Sequence, residues 1–491
     1  MFVLPAQMLT KVLGLLYVVL LARGLTVDDY GVYNFIVGGV LVFSYLSNFG
    51  LGSSLQRFLP EYAELKQFAR IVKTIVISHA IRIALSLLSL LVALVLFQQW
   101  AGFFNIADRR EEFMVFALGA FILFQVEYFQ IEFNALFMHK AVSIVQVFYT
   151  VLKYVLVFLV LEAGLGLTGV LAAEALSYAA GLGLLGYVFV TRILPRRIAC
   201  RKNEAATFET RRLARYSGFN ALVQPGGILY SNSMDYFVIA AMANPYDLGI
   251  YALASRASKM LVSVMPQNLL QSIIRPAFYQ RYYAVADRKE ELNRLFRTLV
   301  NLIAMILVPA LVIVSLSAAP LIGAVFGEKY AAADRIFIML LLFNVFTVLE
   351  LTSDLVLQAI EKVEVRLYAQ VFAVYNVVAA IILMNHIGIM GVAFATGSAL
   401  MFKCLFFYYM AKHYTGISIP WGALMRIAIN AVLAGAVTYT ILGAGDSPAY
   451  LVTALLAGGG TYVGATLVNN FMEVREKSLV NTFFRRKIFN V

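Results

Sequence analysis

Cysteine occurs only at Cys200 and Cys404, and histidine only at His79, His139, His386 and His413. Two isolated cysteines offer neither a disulfide framework nor a thiolate metal site. The histidines never fall at ligand spacing, so zinc chemistry is not expected; nothing in the sequence calls for a cofactor or metal. Charge is the next shortage: 13% of the 491 residues are Asp, Glu, Lys or Arg, about half the roughly 25% of a soluble domain. With 62% hydrophobic residues and a mean hydropathy of +0.82, the chain cannot cover a globular surface with polar groups. That disfavours a cytoplasmic enzyme, a nucleic-acid binder and a secreted disulfide scaffold, and the chain reads as an integral membrane protein. The net charge of +12, from 39 basic and 27 acidic residues, is then expected in cytoplasmic loops rather than against nucleic acid.

Long apolar runs are what the sequence has in abundance. Windows of about 20 residues, enough to cross roughly 30 Å of hydrocarbon, predict fourteen spans near 4–22, 32–55, 74–97, 113–137, 142–162, 168–191, 217–242, 249–274, 299–320, 335–357, 367–385, 388–411, 425–443 and 449–469. The runs are too long and continuous for barrel strands, so helices are expected: an all-α integral membrane fold of 14 transmembrane helices. The first span starts almost at Met1 without a cleavable signal pattern and is expected to stay as an anchor. With both termini cytoplasmic, the inside loops hold 28 Lys and Arg and the outside loops five. That bias satisfies the positive-inside rule and supports an even span count. A cell-membrane protein with only short outer loops follows.

The chain also repeats itself. Asp29-Tyr30-Gly31-Val32-Tyr33 opens the second span, and Asp247-Leu248-Gly249-Ile250-Tyr251 opens the eighth, 218 residues later. The same offset carries Arg57 to Arg275 and Glu132 to Glu350, and Gly166–Ala173 matches Gly388–Ala395 at an offset of 222. Six spans per copy is even, so the copies are parallel repeats, with a path expected at their interface near the midplane. This gives an N-lobe (1–191), a basic cytoplasmic linker (192–216), a C-lobe (217–411), and two further helices with a basic tail (412–491).

A charge at the centre of a span costs about 2.5–3.5 kcal/mol on insertion scales, so each needs a reason. Candidates for a cationic lumen are Arg82, Lys153, Arg256, Lys259 and Lys11; candidates for coupling or gating are Glu127, Glu132, Asp235, Glu350, Asp354 and Pro225. Asp235 with Arg256, and Glu127 with Lys153, lie at matching distances from their hairpin turns, so each pair reads either as a buried salt bridge or as the wall of a hydrated cavity. Asp235 neutralises at most one of Arg256 and Lys259, which share a face. Arg82, beside His79 at i, i+3, either lines the path or snorkels to the interface, and Lys403 reads as a snorkelling lysine. Glu350 and Asp354, at i, i+4, suit a cation or proton site or a polar helix contact. Pro225-Gly226-Gly227 predicts a kink in span seven.

The run Leu21-Ala22-Arg23-Gly24, Asp29-Tyr30-Gly31-Val32-Tyr33-Asn34 and then Arg57-Phe58-Leu59-Pro60-Glu61-Tyr62 closely resembles the polysaccharide-transporter family. Its members are oligosaccharide and O-antigen flippases of the multidrug/oligosaccharidyl-lipid/polysaccharide superfamily. The resemblance extends over essentially the whole chain and departs at the start, where few residues precede the first span, which bears on Lys11. It implies export of a polyprenyl-pyrophosphate-linked oligosaccharide from the inner to the outer leaflet by alternating access, with a polysaccharide polymerase and glycosyltransferases as neighbours. Tyr17, Tyr154 and Tyr236 are candidate sugar contacts.

Two rivals share the superfamily: a cation-coupled multidrug exporter, which needs unpaired carboxylates, and a lipid II flippase with a different cargo. A membrane glycosyltransferase would need outer carboxylates beyond the few at Asp28-Asp29, Asp108, Glu111-Glu112, Asp334 and Asp446, so no enzyme is expected.

Overall fold

The computed structural model describes residues 3–48, 50–195, 217–218, 221, 232–265, 268, 274–275, 278–279, 281–282, 287–362, 364–445 and 447–469, with the backbone alone at 3–12, 40–41, 45–46 and 232. Among these the regular structure is entirely helical, because a backbone in hydrocarbon has to satisfy its N–H and C=O groups internally. Among the described residues, ten helical segments are long and apolar enough to cross a bilayer by length and composition, and shorter apolar helices accompany them. The chain divides into two compact units, Met1–Gly249 and Ile250–Val491.

The first unit contains α1 (Val3–Gly24), α2 (Val27–Asn48), α3 (Leu51–Glu64), α4 (Phe68–Val95), the short α5 (Phe97–Phe103), α6 (Arg110–Ala135), α7 (His139–Glu162), α8 (Gly166–Val188), α9 (Asn232–Met242) and the first turn of α10 (Pro245–Ser263). Helix α8 packs on both α6 and α7, α7 on α1, α4 on α2 and α6, and α9 on α2. Leu87, Leu88, Leu91 and Val95 on α4 stay exposed, an apolar surface that only lipid tolerates. Expected span two is not continuous. The apolar run carries on, but Gly50 turns left-handed (φ 71°) and the Asn48 side chain accepts from Gly52 N at 3.0 Å, so the helix stops and restarts as α3.

The second unit holds the rest of α10, then α11 (Arg288–Leu316), α12 (Ala318–Phe326), α13 (Asp334–Asn344), α14 (Thr347–Ala359), the short α15 (Glu364–Tyr368), α16 (Val371–Ile387), α17 (Ile389–Thr415), α18 (Trp421–Leu442) and α19 (Pro448–Asn469). Asp287 caps α11 by accepting from Glu290 N at 3.1 Å, meeting one of the donors a helix start leaves unpaired. Expected span ten breaks into α13 and α14, where the Thr347 hydroxyl donates to Asn344 O at 2.6 Å. The last two helices form a hairpin docked on α11 through Ile313, Ala431, Ala434 and Tyr462. The expected linker lies mostly outside the described residues, as does Pro225.

The repeated glycines explain one another. A Cβ on Gly31 would strike the carbonyl oxygen of Pro245, and a Cβ on Gly249 would strike that of Val27. Val27 and Pro245 are themselves 218 residues apart, so the contact maps onto itself when the repeats are exchanged. Such reciprocity is the mark of a local two-fold relation. Only glycine lets two backbones approach so closely.

Candidate functional site

Four helices of the first unit converge on one carboxylate. Glu174 on α8 is 3% exposed, and its Oε1 accepts from the Tyr17 hydroxyl of α1 at 2.5 Å and the Tyr33 hydroxyl of α2 at 2.7 Å. Lys153 Nζ, from α7, lies 3.7 Å from the same oxygen. The ammonium also sits over the Tyr17 ring at 4.1 Å and 5.8 Å from the Tyr178 ring, where cation–π attraction holds it without using its N–H donors. Each of the four residues lies about 9–14 Å from the nearer helix end at 1.5 Å per residue, and all four are near the same end of the bundle: Gly24, Val27, Glu162 and Gly166.

The second repeat places a neutral residue at the position of Glu174, while Asp235 stands where Tyr17 would fall when moved by 218. Tyr251 is Tyr33 moved by 218, and Thr396 is Glu174 moved by 222. Their hydroxyls approach to 3.5 Å, and Thr396 Oγ1 donates to Asn376 at 3.3 Å.

Nearer the other end of the first unit, α4 and α6 enclose a second polar cluster. Arg82 is 2% exposed, so it does not snorkel. It donates to Ser44 O and Oγ at 3.0 and 3.2 Å and lies over the rings of Phe124 and Tyr128 at 5.3 and 5.6 Å. Ser44 donates in turn to Glu127 at 3.3 Å. One turn away, His79 Nδ1 meets the fully buried Glu132 at 3.1 Å.

In the second unit the expected carboxylates have cationic partners. Lys403 Nζ lies 2.6 Å from Glu350 Oε1. Asp354 takes a two-pronged contact from Arg366 at 2.7 and 2.6 Å, with Arg275 at 3.8 Å and Gln358 at 2.7 Å. Asp235 is buried in the first unit, whereas Arg256 is half-buried and Lys259 exposed on α10 in the second. The side chain of Lys11 lies outside the described residues. Tyr17 and Tyr236 are buried, and Tyr154 is partly exposed.

At the end of α6 nearest Gly31, Arg109 donates to Asp29 at 2.9 Å and Glu112 at 3.3 Å. Burial alone would lower its pKa, but Asp29, Glu112 and Asp108 hold it above the ordinary guanidinium value. Next to it Asn105 donates to Ala240 O and Ala243 O, both at 3.2 Å, at the close of α9. Phe104 packs between Phe35 of α2 and Phe237 of α9, at 5.1 and 5.6 Å.

A family profile described as polysaccharide biosynthesis protein matches residues 1–280, more than half of the chain. The chain belongs to the polysaccharide biosynthesis protein family. This bears out the resemblance carried by the Asp29–Asn34 and Arg57–Tyr62 motifs. Among curated proteins it is similar to the probable low-salt glycan biosynthesis flippase Agl15 of Haloferax volcanii, 21% identical over 328 residues, 66% of this chain and 66% of that protein. Among solved structures it is similar to the lipid II flippase MurJ in an inward closed conformation, with a TM-score of 0.72 at 14% identity over 98% of this chain and 99% of that one. An inward-facing multidrug resistance MATE transporter of the MOP superfamily gives 0.63 at 15% identity, over 83% and 94%. The member described here therefore shares the helical fold of MurJ and MATE transporters.

Sequence reasoning left out the partners of its own candidates. The depth match pointed Lys153 at Glu127, whereas the structure brings it to Glu174. Depth fixes height along a helix and not direction around it, and Lys153 points toward α1 and α8. Lys403 does not snorkel, because it meets Glu350 on α14, a helix that does not adjoin α17 in sequence. Ser44 and Arg366 carried no signal beyond their polarity, and the repeat that marked Arg275 did not point to its partner.

Proposed function

We propose that this family member carries a polyprenyl-pyrophosphate-linked oligosaccharide from the inner to the outer leaflet by alternating access between two six-helix lobes. A pyrophosphate cannot cross hydrocarbon with its water stripped unless fixed cations replace that water. The observation that carries the reading is Lys153. Its ammonium is deep in a span, 3.7 Å from Glu174, and makes no hydrogen bond among the described residues, so its donors are available to an anion. Arg256 and Lys259 are the corresponding candidates in the second unit. The similarity to a glycan biosynthesis flippase supports the cargo class. Outward movement of the negative headgroup is also favoured by an inside-negative potential, by about 2.3 kcal/mol per charge per 100 mV. In this reading both termini are cytoplasmic, with glycosyltransferases acting before the transfer and a polymerase after it.

The exporter alternative is disfavoured by the carboxylates. Glu127 faces Arg82, Glu132 His79, Glu174 Lys153, Glu350 Lys403 and Asp354 Arg366. Each already has a base beside it, which opposes a drug cation. Proteoliposomes loaded with a short-chain polyprenyl-pyrophosphate trisaccharide test the proposal: the labelled sugar is expected to become accessible from the opposite leaflet, and cation-coupled drug efflux without sugar translocation would overturn it. Lipid II as competitor separates the neighbouring cargo.

A further inference from the structure

We propose that Glu174 is a selectivity residue: a built-in anion that only a multiply charged headgroup displaces from Lys153. The inference rests on the proposed transport of a lipid-linked pyrophosphate. Any membrane presents a vast excess of ordinary phospholipids, each with a singly charged phosphodiester. A bare lysine in a hydrated path would be occupied by them. Here Lys153 is already half-neutralised by one carboxylate, so a monoanion gains little by replacing it, whereas adjacent phosphates bring more charge than Glu174 offers.

Three features of the site support this. The Tyr17 and Tyr33 hydroxyls fasten Glu174 Oε1, so the carboxylate is held in place and does not follow the lysine. Lys153 stays 3.7 Å away, with a side chain 19% exposed, beyond hydrogen-bonding reach of the carboxylate. The second repeat carries the neutral Thr396 at the position of Glu174, beside Tyr251. The acid at this position is particular to the first repeat; the second carries an acid instead at Asp235, the counterpart of Tyr17. Glu174 acts through Lys153 and is a positioning residue.

The test is equilibrium binding of inorganic pyrophosphate and of dimethyl phosphate, a singly charged diester, to the purified full-length protein. Wild type is expected to prefer pyrophosphate strongly. Glu174→Gln is expected to tighten dimethyl phosphate by about tenfold, the size of one lost opposing charge, and pyrophosphate much less, so that the preference collapses. Glu174→Asp restores it. Tyr33→Phe frees the carboxylate to approach Lys153 and moves the diester affinity the opposite way, weakening it, which keeps the proposal testable if Glu174→Gln does not fold. An unchanged preference in Glu174→Gln, or diester binding unaffected by Tyr33→Phe, overturns the selector while leaving Lys153 as an anion site, provided Lys153→Ala abolishes binding. Binding of both probes unaffected by Lys153→Ala overturns the underlying transport reading as well.

Discussion

Lys403 and Glu350 form a contact of 2.6 Å between α17 and α14, with side chains 18% and 33% exposed. Breaking such a pair from one side strands a charge in a poor solvent, whereas removing both partners does not. Lys403→Met is expected to lower stability by about 1–2 kcal/mol, the lower part of the buried-pair range because Glu350 is a third exposed. The double variant Lys403→Met/Glu350→Leu should recover most of it. Thermal unfolding of the detergent-solubilised protein, arranged as a double-mutant cycle, reads the coupling; additive losses would rule the pair out as a unit.

Arg366 grips Asp354 with two short bonds, while Arg275 stands off at 3.8 Å. Arg366→Lys should therefore be almost as damaging as Arg366→Ala, because a point charge does not reproduce the planar fork. Arg275→Ala should cost less than either. Equal losses for Arg275→Ala and Arg366→Ala in the same unfolding assay would contradict the geometry.

Arg82 is expected to behave as an internal strut. Its two bonds to Ser44 and its place between Phe124 and Tyr128 predict that Arg82→Ala loses about 2–4 kcal/mol by stranding Glu127 and opening a void. Ser44→Ala should lose about 1 kcal/mol. Wild-type stability in Arg82→Ala would return this residue to a mobile, path-facing role.

Gly31→Ala and Gly249→Ala are each expected to destabilise by about 1–3 kcal/mol through overpacking. The double variant should cost less than the sum, since the first methyl already forces the helices apart. Gly39 has open space around a would-be Cβ, so Gly39→Ala is the control and should be neutral or slightly favourable. Equal effects at 31 and 39 would mean that helix propensity, not contact, governs the site.

Much of this molecule could be read before folding because the bilayer imposes its own grammar. Most expected spans fall on a described helix or pair of helices, span seven as a continuous helix only from 232 to 242, since runs such as Ile71–Val95 leave the backbone no other partner. The Asp-x-Gly-x-Tyr repeat was equally visible, because a glycine needed for backbone contact cannot drift. Less legible were azimuth and local breaks. Lys153 shares a depth with Glu127 yet turns to Glu174, and no hydrophobic window registers the left-handed Gly50 that splits α2 from α3. Side-chain direction depends on which neighbours a helix acquires, and that is settled only when distant segments such as α1 and α8 meet.

The reciprocal touch of Gly31 on Pro245 and Gly249 on Val27 also has an evolutionary reading. A surface that is its own complement works first between two separate, identical chains. A half-length ancestor bearing that glycine would have paired with a twin in the bilayer before any fusion joined the genes. Joining the two copies in one chain would then have let them differ, as Glu174 and Thr396 do at corresponding positions.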